Sequence, residues 1–429
     1  MRLFGTQEIK QNELFIGGMS VSELKKQFGT PLYVMDVAHM KAQSKLIKES
    51  FSHPSISTGV MYASKAFLNL AMVKFMQDQD YLIEVVSEGE LYTVEQAGYP
   101  LHNVFFHGNA KTAAELDYAY RSRVGTIIID NHQEYVMLQA QHPGGFIQRV
   151  MVRLNPLIES ETHEYIQTTM NDSKFGVYAY DESTLALLRL IQEDERFTFV
   201  GIHSHIGSQI VNPNTFYAQV ESMMGIVRDY AEKGISIQEV NLGGGFGVAY
   251  TESDHEVDVA EVLPNMLKTI ALFCEEHDLT IPKVYIEPAR SIVANAGTTL
   301  YTVHSTKTTP SGKQFCFVDG SMADHIRTVL YQATYDAVVA NRATDPEDTT
   351  YTIGGRACES GDIIVRSVKL ASPQAGDLIA VSTTGAYHYS MASNYNRFTK
   401  PAVVFVENGK GKVVVKRETL DDLLRNDVK

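Results

Sequence analysis

Between about residues 36 and 290 the chain alternates short, β-branched apolar segments with longer stretches of helical periodicity, which restricts it to parallel βα units. Eight strands are expected: "GVMYAS" (59–64), "YLIEVVS" (81–87), "NVFFHG" (103–108), "TIIIDN" (126–131), "VMVRLN" (150–155), "FVGIHSHIG" (199–207), "EVNLGGG" (239–245) and "KVYIEPAR" (283–290). Amphipathic candidates such as "STLALLRLIQED" (183–194) and "NTFYAQVESMMGIVRDYAEK" (214–233) lie between them. Eight strands with crossover helices over about 250 residues is the size of a (β/α)8 barrel.

After residue 292 the texture changes to alternating β-branched stretches: "TLYTVHSTKT" (299–308), "DIIVRSVKL" (362–370), "DLIAVSTTGAY" (377–387) and "AVVFVENGKGKVVVK" (402–416). These predict a separate, mainly antiparallel β domain, with "ENGKGK" as a hairpin turn. The opening segment "LFIGGMSVSEL" (14–24) is expected to supply a short strand that pairs with that domain. The expected division is therefore 1–35 joining the β domain, 36–292 as the barrel, and 293–429 as the β domain.

Composition narrows the function classes. Aspartate and glutamate outnumber lysine and arginine by 51 to 37, for a formal charge of −14, which argues against a nonspecific nucleic-acid or anionic-membrane surface. The start "MRLFGTQEIK" lacks the apolar core of a signal peptide and no run of about 18 apolar residues occurs, so a cytoplasmic location with small-molecule partners is expected. Three cysteines, Cys274, Cys316 and Cys358, are too few for a disulfide framework and lack CxxC spacing. Each is a buried thiol or a working one.

In a barrel of this kind the chemistry belongs at the C-terminal strand ends. Lys65 stands where the first apolar run stops, His107-Gly108-Asn109 ends the third strand, Arg153 and Asn155 the fifth, and "HSHIGSQ" (203–209) the sixth. "GGGFG" (243–247) follows the seventh strand and "EPAR" (287–290) ends the eighth. Gly243, Gly244 and Gly245 let backbone N–H groups approach an anion, and Ser208 can add a hydroxyl. Taken singly, the glycines read as a tight turn, Ser208 as a loop serine and Glu287 as half of an ion pair. Together, a lysine, a phosphate cradle and a carboxylate match the needs of pyridoxal phosphate: an amine for a Schiff base, donors for the phosphate, and an acid that keeps the pyridine nitrogen protonated. His203 and His205 share a strand face, so with His107 and Glu287 a metal-dependent hydrolase stays open on these residues alone. In the cofactor reading no metal is needed: His205 lies on the ring face and His203 is a satisfied core histidine.

The motifs "YASKA" (62–66), "VVSEGEL" (85–91), "FHGNAK" (106–111), "THEYIQT" (162–168), "DSKFG" (172–176), "HSHIGSQ", "NLGGGFG" (241–247), "EPAR", "CESGD" (358–362) and "MASNYN" (391–396) run through nearly the whole chain. In this order they resemble the alanine-racemase-like class of pyridoxal phosphate enzymes and, within it, the diaminopimelate decarboxylases. The resemblance implies that Lys65 forms the imine with pyridoxal 5'-phosphate, His205 stacks on its ring, Ser208 with Gly243 to Gly245 and Tyr387 hold its phosphate, and Glu287 pairs with its ring nitrogen. It further implies that Arg290, Arg327 and Tyr331 grip the distal carboxylate of the substrate, with Arg290 and Tyr387 lying between cofactor and substrate. Cys358 is implied as proton donor and Glu359 as reader of the distal amine, both delivered to the partner subunit of a homodimer.

The activity so implied is decarboxylation of meso-2,6-diaminopimelate to L-lysine and CO2, the last step of lysine synthesis. Two arginines for a second carboxylate favour this substrate over ornithine, arginine, lysine or a carboxylated polyamine precursor such as carboxynorspermidine. A cofactor-binding pseudoenzyme is the non-catalytic alternative, and the presence of both Lys65 and Cys358 argues against it. Several positions depart from the family pattern: Glu88 and Ala289 stand where glycine is common, "DGSMAD" (319–324) varies a "DAGMND"-like segment, and "ASNYNRFTKP" (392–401) lacks an "RPRP"-like ending.

Overall fold

All eight expected strands form, and they close on themselves. In the computed structural model, which describes residues 1–156 and 173–429, the barrel strands are Thr58–Ala63 (β1), Leu82–Val85 (β2), Val104–Phe106 (β3), Thr126–Ile129 (β4), Gln148–Asn155 (β5), Phe197–His203 (β6), Glu239–Asn241 (β7) and Lys283–Ile286 (β8). Each pairs in parallel with its neighbour, and β8 returns to β1 through Val284–Thr58, Tyr285–Gly59 and Ile286–Val60. Met61, Phe105, Ile128, Met151, Val200 and Tyr285 form one buried cluster. They come from six different strands, and side chains so distributed around a closed sheet can meet only inside it. A two-residue strand, Val177–Tyr178, adds to the far end of β5 in parallel register; the sequence reading did not anticipate it.

The amphipathic stretches form the helices Glu182–Glu193 and Pro213–Glu232. The second begins where Asn212 accepts a hydrogen bond from the Asn214 N–H and Pro213 takes the first helical position, where its missing N–H costs nothing.

The chain divides into two compact units. One comprises Ser44–Gly247 and Glu256–Ala289 and holds the barrel; the other comprises Met1–Gln43, Val248–His255 and Arg290–Lys429. The second unit is built on a sheet ordered Ile363–Leu370, Thr349–Gly354, Gln314–Val318, Gly297–Thr308, Leu32–Asp36, Ala402–Glu407 and Lys410–Val415. Most of its pairings are antiparallel; Gln314–Val318 with Thr349–Gly354 and Leu32–Asp36 with Ala402–Glu407 are parallel. The last two strands form the expected hairpin, with Asn408 and Gly409 at φ of 52° and 71°, the left-handed pair that a two-residue turn requires.

The strand expected in residues 14–24 requires a correction. Glu13–Ile16 pairs with Glu8–Lys10 and Met19–Ser20 in a small sheet of its own, and the strand that joins the large sheet is Leu32–Asp36. The opening segment meets the large sheet by packing instead: Leu14, Ile16, Met19, Val21 and Leu24 share a core with Leu300, Ala380, Val404 and Val406. No helix of the described residues is long and apolar enough to cross a membrane.

A buried ion pair fixes the turn after β3. The Lys111 ammonium donates to the Gly108 carbonyl at 2.8 Å, the Ile128 carbonyl at 2.7 Å and Glu134 Oε1 at 2.6 Å, with both charged side chains 1 % exposed. This lysine of "FHGNAK" thus ties the β3 turn to β4 and to the helix His132–Gln141. Removing one partner strands the other charge in the core, so Lys111→Met is expected to cost about 3–5 kcal/mol. Urea unfolding of the purified variant measures this, and a second change, Glu134→Leu, is expected to restore part of the loss.

Candidate active site

Each barrel strand delivers a polar residue to the same end. Lys65 sits in the single turn Ser64–Ala66 directly after β1, because the apolar run ends at Ala63 and the next helix, Leu70–Asp78, is already capped by Asn69. The Ser64 hydroxyl donates to Glu90 Oε2 at 2.6 Å, which anchors this turn to the helix after β2. Lys65 Nζ lies 3.2 Å from Glu84 Oε1 of β2; the lysine side chain is 38 % exposed and the carboxylate 2 %. A carboxylate inside an apolar strand is thus matched by a cation that solvent or a ligand can still reach.

Glu287, at the end of β8, is a second buried acid of the group. Its Oε1 accepts from Asn241 Nδ2 at 2.7 Å and lies 3.2 Å from His107 Nε2, while Oε2 lies 3.5 Å from His203 Nε2. Burial alone raises a carboxyl, but the imidazoles of His107 and His203 outweigh it and hold Glu287 well below the ordinary range. His203 itself is pushed down to about 3 by burial, so it faces Glu287 as a neutral ring. Expected as a satisfied core histidine, it is buried, packs edge-on against His107 with ring centroids 4.7 Å apart, and belongs to the Glu287 environment.

His205 is partly buried beyond the end of β6, with its Nδ1 accepting the Gly244 N–H at 3.3 Å. Burial first, then the charge of Lys65, depresses its basicity well below normal, which places His205, Lys65 and Glu287 within one field. The glycines pack for a reason. A Cβ on Gly243, at φ of 67°, would stand 2.6 Å from the Ser204 carbonyl oxygen, and one on Gly244 would stand 2.3 Å from that of Glu287. Only glycine lets this loop close against both β6 and β8. Ser208 follows in the neighbouring loop, after Gly207.

Three residues here were not assigned a role from sequence. Asn241 bonds Glu287 through its amide and accepts the Gly243 N–H at 2.9 Å through its carbonyl, so one side chain sets both the acid and the glycine turn. Glu84 was legible in principle, as a charge inside "YLIEVV". Arg153 stacks over Phe175 at 4.4 Å, and burial lowers its basicity, opposed by Asp130, Glu287 and Glu84. The motif "THEYIQT" and Asp172 of "DSKFG" lie outside the described residues.

The remaining candidates belong to the β unit. Arg290 donates to the Tyr250 hydroxyl and lies over the Tyr387 ring at 4.8 Å. Arg327, at the start of the short helix Arg327–Leu330, lies over Tyr331 at 4.7 Å and Tyr387 at 5.4 Å, so residues four apart meet. Cys358 and Glu359 stand on an exposed loop: the Cys358 N–H donates to Asn396 at 2.8 Å and the Tyr395 hydroxyl to Glu359 at 3.4 Å. Cys274 and Cys316 are buried.

Comparison with known proteins decides the family. Residues 37–294 match the model of the pyridoxal-dependent decarboxylase, pyridoxal binding domain. The chain is 41 % identical to diaminopimelate decarboxylase of Bacillus subtilis (strain 168), with 100 % of this chain and 98 % of that protein covered. It is 39 % identical to the Staphylococcus aureus (strain COL) diaminopimelate decarboxylase over 99 % and 100 %. The crystal structure of diaminopimelate decarboxylase from M. jannaschii in co-complex with L-lysine superposes with a TM-score of 0.92 at 31 % identity, covering 99 % of this chain and 98 % of that one. The chain belongs to the diaminopimelate decarboxylases.

Pyridoxal phosphate is the cofactor of this family of decarboxylases, and the barrel's own groups suit it. A reachable amine, an ionised and enclosed carboxylate and a turn whose glycines leave no room for a Cβ stand at one barrel end. His107, His203 and Glu287 also bring their ligating atoms within 4.8 Å of one another, as a metal site would. The amide of Asn241 points into Glu287 Oε1, however, and an N–H donor on that oxygen competes with a cation there. A hydrogen-bonded cage around a carboxylate fits this geometry better.

The buried neutral state of His203 has a pH consequence. Its folded-state value lies below the unfolded one, so its contribution to stability is fully present above pH 6.5 and is lost as the pH falls from there towards 3. In urea unfolding, the stability advantage of the native chain over His203→Gln is expected to shrink by up to about 1.4 kcal/mol per pH unit across that window.

Proposed function

We infer that this chain decarboxylates meso-2,6-diaminopimelate to L-lysine and CO2, the last step of lysine biosynthesis, as a cytoplasmic homodimer. Full-length similarity to diaminopimelate decarboxylases carries the reaction. One observation carries the substrate: Arg327 is buried, and the groups that act on its charge most strongly, after burial, are the phenols of Tyr335, Tyr250 and Tyr387. A guanidinium enclosed by phenols keeps its charge for an incoming carboxylate, which diaminopimelate has at its distal end and ornithine or lysine lacks.

In this reading residues 36–292 form the cofactor-binding barrel, a division supported by the match over 37–294, and 1–35 with 293–429 form the β domain. Pyridoxal phosphate, when bound, supplies the electron sink that accepts the pair left on the α-carbon as CO2 departs. Lys65 provides the amine that attaches it, with Glu84 holding that amine in place. Glu287, kept ionised by its cage, would serve the ring nitrogen, and His205 would support the ring. Gly243 to Gly245, Ser208 and Tyr387 would hold the phosphate, and Arg290 with Tyr331 and Arg327 the distal carboxylate. Cys358 delivers the proton to the α-carbon and Glu359 reads the distal amine. Their exposure supports service in a partner's active site rather than in this chain's own.

Two experiments test this. Purified protein should be yellow and bleach with borohydride, with the cofactor adduct mapping to Lys65; Lys65→Ala should lose the adduct, and an adduct elsewhere would displace Lys65. Cys358→Ala should keep the colour and lose about 10²-fold or more in kcat, the scale of a missing general acid. Mixing equal amounts of the Lys65→Ala and Cys358→Ala proteins after dissociation should restore about a quarter of native activity, since half the dimers then contain one complete site. No recovery would overturn the shared site.

A further inference from the structure

We propose that Tyr335 is the positioning residue that sets Arg327 for a second carboxylate, and that Tyr250 does the same for Arg290. The two phenols thereby enforce the choice of a diamino dicarboxylate over a diamino monocarboxylate. This rests on the assignment of the two arginines made above.

Neither tyrosine stands in a motif, and their roles emerge only from contacts. Arg327 Nε donates to the Tyr335 hydroxyl at 3.1 Å. The guanidinium carbon lies over the Tyr331 ring at 4.7 Å and the Tyr387 ring at 5.4 Å. Ring contacts alone leave the guanidinium free to turn about its own centre, and the bond at Nε removes that freedom. Because Nε is the nitrogen nearest the stem, the two terminal nitrogens remain as the fork that takes a carboxylate in two places. Arg290 is bonded at a different nitrogen: its Nη1, one of the terminal pair, donates to the Tyr250 hydroxyl, and its carbon centre lies over the same Tyr387 ring at 4.8 Å.

Tyr335 is itself held on three sides. Its ring meets Tyr250 edge-on at 5.3 Å, His325 at 4.6 Å and His388 at 5.3 Å, and it is 3 % exposed. The two phenols therefore touch each other, and the two arginine mounts form one packed unit. Phenols suit this task better than carboxylates. An aspartate at either position would orient the guanidinium but also neutralise it, whereas a protonated phenol orients it and leaves the charge for the ligand. Burial pushes the Tyr335 hydroxyl upward, so it stays protonated and neutral at working pH.

The test separates this role from simple packing by comparing two ligands of the holoenzyme. meso-Diaminopimelate carries the distal carboxylate, and its product L-lysine keeps it, whereas cadaverine (1,5-diaminopentane) is the same chain without any carboxylate and competes for the site without it. Tyr335→Phe keeps the ring and removes only the hydroxyl. It is expected to raise KM for meso-diaminopimelate about tenfold, the scale of a lost bond to a charged group, with kcat and the inhibition constant of cadaverine changed by less than about twofold. Parallel weakening of both ligands, or of neither, would overturn the proposal. Should Tyr335→Phe fail to fold, Tyr250→Phe carries the same expectation at Arg290. Arg327→Lys, measured alongside, must itself weaken meso-diaminopimelate more than cadaverine. If it does not, the arginine assignment is at fault, and the inference falls with it for that separate reason.

Discussion

A carboxylate can stay ionised inside a protein only if donors or positive charge replace the water it has lost, and Glu287 depends on three other barrel strands for that replacement. Asn241 comes from β7, His107 follows β3 and His203 ends β6. Because these groups lie far apart in sequence, the acid exists in its working state only when the barrel has closed. The same contacts carry position onward: Asn241 passes it to the Gly243 turn, and Gly244 to His205. A change at any one of these residues is felt at the others, because they share bonds and not merely space.

Much of this was legible in the sequence because barrel chemistry is local in one respect. Each strand announces its own end by the point where apolar residues stop, and polar residues at those points form the candidate site. Lys65, His205, Glu287 and the glycines could be found that way, and the helices between the strands kept their periodicity because one face of each packs inward. What stayed hidden depended on partners remote in sequence. Leu32–Asp36 is buried throughout and shows no alternation, and its partners lie near residues 297 and 402, so no local pattern marks it as part of the β sheet. The opening strand has the clearer pattern, but it pairs with its neighbours in sequence, Glu8–Lys10 and Met19–Ser20. Asn241 was concealed differently: it read as the polite start of a glycine motif until the Glu287 contact, 46 residues away, gave its amide a task.

The barrel end and the arginine pair of the β unit deal with buried charge in opposite ways. Around Glu287 the protein provides donors, and the charge is settled before any ligand arrives. Around Arg327 it provides aromatic faces and a neutral hydroxyl, which orient a cation without cancelling it. The first arrangement suits a group whose ionisation must not vary, since an acid that tunes a ring nitrogen has to be charged at all times. The second suits a group whose partner comes and goes.

That difference bears on where selectivity comes from. A buried guanidinium lacking a close anion carries an unrelieved desolvation cost, and an incoming carboxylate relieves it at the moment of binding. A ligand without that carboxylate leaves the cost in place, even if every other contact is made. Discrimination of this kind needs no steric clash with the smaller molecule: it arises because the site is left worse off when the anion is missing. It also needs the guanidinium to wait in the right plane and rotation, since a side chain that must reorganise gives back part of what binding gains. Ring contacts alone would leave the guanidinium free to turn about its own centre, and a carboxylate mount would remove the unrelieved charge. An arginine set against rings and bonded at Nε by a phenol avoids both losses.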